Sequence, residues 1–201
     1  MRNCVVIVLC LSCLLPLAGQ DVSKPTVSSE PLTTDQIAVY RVVLKDFRKS
    51  DQSLLNVAAE TELQDISRFS SQQCMEGVAP EVPAGIVHRI GDSSLLGSKI
   101  ALVDRDEQQQ QVDKNDPQNL MKRAIDDHEK VSDQQIDKSV KRAFESGLFT
   151  LSEIAFDKTH RHAIVTYSFV CGGLCGSGRT LVLRRVGQNW KVSRTCGGWV
   201  S

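Results

Sequence analysis

The residues with the most chemistry in them fall in one stretch, Val170-Cys171-Gly172-Gly173-Leu174-Cys175-Gly176-Ser177-Gly178-Arg179. Two cysteines, four glycines, a serine and an arginine within ten residues allow four chemistries. The first is a disulfide. An extended strand would hold Cys171 and Cys175 ~13 Å apart, against the ~5.5 Å between the Cα atoms of a bridged pair. The chain must therefore reverse between them, and Gly172 and Gly173 permit that. The second is a metal site, since a Cys-x3-Cys spacing suits structural zinc with further thiolates or histidine. The third is nucleophilic catalysis, with Cys175 or Ser177 activated by His160 or His162. The fourth is ligand binding, because successive glycine amides can cradle an anion and Arg179 stands beside them.

The spacing weakens the catalytic option. Ser177 is not in a Gly-x-Ser-x-Gly elbow: Cys175 takes the first glycine's place, and a strand rather than a helix follows. His160 and His162 lie before a strand of about nine residues, which puts them ~30 Å from the stretch. No residue is assigned a catalytic, cofactor-binding or metal-binding role. Gly172, Gly173, Ser177 and Arg179 are the expected binding surface.

Compartment decides between disulfide and metal. Met1-Arg2-Asn3 carries one positive charge, Cys4 to Leu15 is apolar except for Ser12, and Pro16-Leu17-Ala18-Gly19 precedes polar Gln20-Asp21. That is the order of a secretory signal peptide, cleaved after Ala18 or Gly19, so residues 1–19 are expected to be removed. The apolar run is shorter than the ~20 residues of a membrane span, and no span is expected in the mature chain. Gln20 stands where a lipoprotein signal needs cysteine, so the protein is expected to be freely secreted or periplasmic. Cleavage removes Cys4, Cys10 and Cys13 and leaves Cys74, Cys171, Cys175 and Cys196. Four cysteines in an oxidising compartment read as two disulfides rather than a zinc site. The favoured pairing is Cys171–Cys175 with Cys74–Cys196, and the alternative is Cys175–Cys196 with Cys74–Cys171.

Charge gives one further asymmetry. The whole chain is formally neutral, yet no acid follows Asp157, while Lys158, Arg161, Arg179, Arg184, Arg185, Lys191 and Arg194 do. These bases could offer a face to a protein or an anionic glycan, or simply keep sheet edges soluble. Neutral overall charge weakens long-range steering. The strand aromatics are expected to be buried rather than free to stack on bases, so nucleic acid is not an expected partner.

The elements that position these residues follow from periodicity. Residues 20–32 read as a flexible leader, and 33–201 as a single domain. Thr33 with Gln36 forms a capping box, and Ile37, Tyr40, Val43, Leu44 and Phe47 then mark one helix face. Short strands are expected at 86–90 and 99–103. Asp104 to Asn115 reads as a solvated polar loop, because its acids lack the pattern of a calcium loop. Asp116 caps a helix that has Pro117 at its first position. Ser132 and Gln135 open another, which Gly147 ends. From Leu148 the period becomes two, with strands near 150–157, 161–170, 179–186 and 189–195. If Val186 faces Asn189, Arg179 faces Cys196, which brings three cysteines to one end of the sheet. The fold class is α+β, a C-terminal four-stranded antiparallel meander packed against N-terminal and central helices.

Phe156-Asp157-Lys158, Tyr167-Ser168-Phe169, Cys171-Gly172-x-Leu174-Cys175-Gly176-x-Gly178, Asn189-Trp190-Lys191 and Trp199-Val200-Ser201 carry a resemblance. Over residues 147–201 the chain resembles small exported bacterial proteins of unknown function that share this cysteine-glycine hairpin. The resemblance implies export and the hairpin, and no activity. The expected function is a non-enzymatic interaction or structural role. The alternative is a hydrolase or redox enzyme using the Cys171–Gly178 tip.

Overall fold

The computed structural model of the chain describes residues 24–49, 53–65 and 76–201. Residues 1–19, read as a signal peptide, and Cys74 lie outside them. Thr26–Ser28 (β1), within the expected leader, pairs in parallel with Ile86–His88 (β4). The chain is thus structured ahead of its first helix, and Leu32 is buried.

The first helix, Thr34–Arg48 (α1), starts where its caps dictate. The Thr33 hydroxyl accepts from the Gln36 amide, and the Gln36 side chain accepts from the Thr33 amide. One face buries Val39, Tyr40, Val43 and Leu44. Leu55–Ala58 (β2), Pro80–Glu81 (β3), β4 and Ile100–Val103 (β5) follow. Then come Arg105–Asn115 (α2), Pro117–Asp126 (α3) and Asp133–Ser146 (α4). The chain ends in Leu148–Leu151 (β6), Ala155–Asp157 (β7), His162–Gly172 (β8), Cys175–Val186 (β9) and Asn189–Val200 (β10).

The C-terminal strands form the expected meander, with β8, β9 and β10 joined antiparallel. The sheet does not stop there. Its path is β10-β9-β8-β6-β2-β5, with β7 on β8 and β3 on β7. Strands β2, β5 and β6 run parallel to one another, so the sheet is mixed rather than a four-stranded antiparallel unit. Parallel strands of one sheet need a long crossover, and the three helices of residues 105–146 supply the one from β5 to β6, which flank β2. The expected strand at 150–157 is two strands, interrupted where Glu153 turns inward and is fully buried.

Residues 104–115 are also not a loop. Asp104 accepts from the Asp106 and Glu107 amides and starts α2. Glutamine is a good helix former, and Val112 is this helix's single buried side chain. That leaves no apolar stripe for a periodicity argument to find.

One face of the sheet packs on α1 and takes in Ala143 of α4. There Val57, Phe149, Leu151, Val165, Tyr167, Phe169, Leu181, Leu183 and Trp190 make the main core. On the other face are two smaller clusters. Val112 covers Ala58, Leu148 and Val170, and Val78 with Cys196 covers Ala155, Ile164 and Val182. Between those two clusters the sheet face is hydroxyl-lined.

Candidate functional site

Strands β8 and β9 meet at the cysteine-glycine tip. Cys171 and Cys175 form a disulfide with Cα atoms 5.0 Å apart, and Gly172 makes the reversal at φ +146°. The tip has an anion already: the Asp116 carboxylate, which caps α3 through the Gln118 amide, accepts from the Gly173 amide at 2.7 Å. A Cβ at Gly172 would sit 3.0 Å from that carboxylate. The two glycines therefore give Asp116 room, and α3 is clasped to the hairpin.

The other expected surface residues point elsewhere. Ser177 pairs with Phe169 and with Val200, on the α1 side of the sheet. Arg179 pairs with Tyr167 and Gly198, and a Cβ at Gly198 would stand 3.1 Å from its Cγ.

On that side an apolar cavity of about 560 Å³ opens between the hairpin and the helices. Met121 of α3, Val140 and Phe144 of α4, Phe169, Leu174 and Val200 line it. Phe144 stacks on Phe169 with ring centres 6.1 Å apart. None of α3 is buried, and of α4 only Ala143 is. Both helices are amphipathic, yet their apolar sides are only partly covered.

The opposite face of the same hairpin is built differently. Trp199 pairs with Gly178, and its indole lies flat across β9. A Cβ at Gly176 would stand 3.0 Å from the ring, and one at Gly178 closer still. These two glycines serve the tryptophan, not the turn. Beside it, Thr166 and Thr180 face each other with hydroxyls 2.8 Å apart, next to Ser152, which accepts from the Thr166 amide. Glu62, Leu63 and Asp65 form the far wall of a groove of about 320 Å³.

Cys196 is not at the tip. Pairing begins with Val186 opposite Asn189, but register shifts between Val192 and Arg194 and between Thr195 and Gly197 move Arg179 from Cys196 to Gly198. Each shift is a β-bulge, which inserts an unmatched residue. Cys196 instead packs against Ala155, Ile164 and Val182 and is disulfide-bonded; Cys74, its expected partner, lies outside the described residues.

The histidines stand away from the tip. His162 opens β8 and Gly172 closes it. His162 Nδ1 lies 2.8 Å from Asp157, and His160 stacks on Phe156. Burial would raise the Asp157 carboxyl, but hydrogen bonds from the His162 ring, the Arg161 and His162 amides and the Thr159 hydroxyl hold it at about 2.

A third titratable group escaped the sequence altogether. Buried Glu153 accepts from the Thr61 hydroxyl, from the His88 amide at 2.8 Å and from His88 Nδ1 at 3.0 Å. Burial, and secondarily the Glu153 charge, push the nearby Tyr40 hydroxyl well above its ordinary range, so it stays protonated and donates to the Ser152 carbonyl at 3.0 Å. No spacing rule links Thr61, His88 and Glu153. The hydroxyl stripe, by contrast, had a signal: Thr166 and Ser168 alternate with the apolar residues of β8.

Comparison with known proteins finds no matching family model, no matching curated protein and no matching solved structure.

Proposed function

We propose that the chain is an exported, non-enzymatic interaction domain that pairs with a second copy of itself through the hairpin end of its sheet. The observation that carries this is the uncovered apolar side of α3 and α4 beside the pinned tip. Leu174 is 75 % exposed and Val200 84 % exposed, and both stand at the rim of the cavity they help to line. Knob and hole thus share one surface, which is what a twofold, self-complementary interface requires. Exposed apolar patches of this kind mark interaction sites. Removal of the signal takes Arg2 and leaves 23 bases against 24 acids, a net charge too small to drive two copies apart. Export is supported by the apolar N-terminal run and by the disulfide chemistry that an oxidising compartment favours.

The chemistry of the tip favours binding over catalysis. Cys171 and Cys175 are bonded to each other, Ser177 lies beside Phe169, and His160 and His162 are at the far end of β8.

The test is sedimentation equilibrium of the mature chain. A dimer with a Kd in the micromolar range, about −8 kcal/mol, is expected, and Leu174→Asp or Val200→Asp should leave a folded monomer. A wild-type monomer at about 1 mM, or a dimer indifferent to both changes, would sink the proposal. Thiol counting in denaturant separates the catalytic alternative: a resting cysteine nucleophile requires at least one free thiol, and the expected count is zero.

A further inference from the structure

We infer that the groove on the reverse face of the hairpin, between Trp199 and the Glu62–Asp65 segment, is a binding site for a neutral saccharide. This does not depend on self-association, which uses the other face.

The first support is Trp199. It is 47 % exposed, although its ring is pressed on Gly176 and Gly178. One face of the indole is therefore backed by main chain and the other is presented outward. An aromatic face is electron-rich and attracts the positive edges of C–H groups; a pyranose ring offers such a face of axial hydrogens. Fixing the ring against glycines removes the mobility that stacking would otherwise have to quench.

The second is the floor. Thr166, Thr180 and Ser152 place hydroxyl oxygens in a row, and hydroxyls both donate and accept, as sugar hydroxyls do. The wall adds Glu62 and Asp65, whose carboxylates only accept. Glu62 is braced by Arg105 at 3.0 Å. The groove volume lies at the small end for small-molecule sites.

The third is Gln64. It is 6 % exposed, and its Oε1 is buried with no hydrogen-bond partner among the described residues, while its Nε2 donates to Thr166 Oγ1 at 3.3 Å. A buried acceptor without a donor is costly. Gln64 is not itself in the lining; its Nε2 fixes the Thr166 hydroxyl that forms the floor.

Charge selects within the class. The wall offers an anionic glycan no attraction: its acids Glu62 and Asp65 repel one, Arg105 is taken up by Glu62, and Arg179 pairs with Tyr167 of the opposite face. The ligand is therefore a neutral sugar, rather than the anionic glycan that the basic strands suggest.

The chain has two tryptophans. Trp190 is buried and Trp199 is half exposed, so ligand-induced changes in emission report chiefly on Trp199. The mature protein is titrated with cello-, chito- and malto-tetraose, and with a heparin-derived tetrasaccharide. Expected is a saturable blue shift with at least one neutral tetraose and none with heparin. By calorimetry, Trp199→Ala should abolish that binding and Thr180→Val weaken it at least tenfold, with the circular dichroism of both unchanged. No saturable response to any neutral tetraose, a heparin response equal to the neutral one, or binding that survives Trp199→Ala each overturns the inference.

Discussion

At position 178 the absence of a side chain is the functional feature. Alanine there is compatible with the backbone but collides with Trp199, so Gly178→Ala should cost about 1–3 kcal/mol and shift tryptophan emission to the red as the ring lifts. Gly187 is the contrast. It has φ +63° with open space around it, so Gly187→Ala should cost stability through the backbone alone and leave the emission unchanged. Glu153 is a buried carboxylate satisfied by donors. Replacing it with glutamine sets an amide against those donors, and a loss of about 2–3 kcal/mol is expected by urea denaturation. Asp157 gives a pH signature. Its folded value of about 2 lies below the ordinary 3.8, so the stability it lends is present above about pH 4 and disappears as the pH falls toward 2. Asp157→Asn should flatten the urea midpoint across that interval; a wild-type slope retained in the variant would show that other carboxylates dominate.

At the scale of elements, one residue ends a helix's isolation. Asp116 caps α3 and accepts from Gly173, joining the helical crossover to the strand hairpin. Asp116→Ala should cost about 1–2 kcal/mol and speed hydrogen exchange at the Gly173 amide, whereas Asp104→Ala should cost a similar amount and leave Gly173 protected. Capping was legible in the sequence because it is local: Thr33–Gln36, Asp116–Pro117 and Ser132–Gln135 act within three residues of themselves. The meander was legible because alternation in β8 and β9 is strong and the turns are short. What was not legible depends on long-range pairing. The parallel union of β2, β5 and β6 leaves only short apolar runs, and α2 shows one buried valine among charges and glutamines. The candidate groove was half legible: its hydroxyls alternate visibly, but only the folded register sets Trp199 on Gly176 and Gly178.

Taken whole, the two surfaces proposed for recognition lie at one end of the sheet, an apolar face toward α3 and α4 and a hydroxyl face on the reverse. The Cys171–Cys175 disulfide lines the apolar face and pins the tip of the hairpin that carries both. Cys171→Ser with Cys175→Ser should lower stability by about 2 kcal/mol, as expected for a small ring, and should weaken both dimer formation and saccharide binding. An effect on one alone would show that the faces are independently supported. A dimer would also carry two saccharide grooves, so a polymer able to reach both should bind more tightly than a tetraose by effective concentration.

The two bulges of β10 have a consequence for how this chain can change over generations. Because side chains alternate, the face on which Trp199 falls is decided by whether an odd or an even number of paired residues separates it from Trp190. The two unmatched residues drop out of that count. Loss of unmatched Ser193 would erase a bulge and leave the indole opposite Gly178, whereas loss of a single paired residue such as Lys191 would turn the indole toward the side of α1. A second loss nearby would restore it. The paired stretches of the strand therefore carry a parity check: they are free to drift in letters, but in length only in twos, and the bulges are where a single residue can come or go.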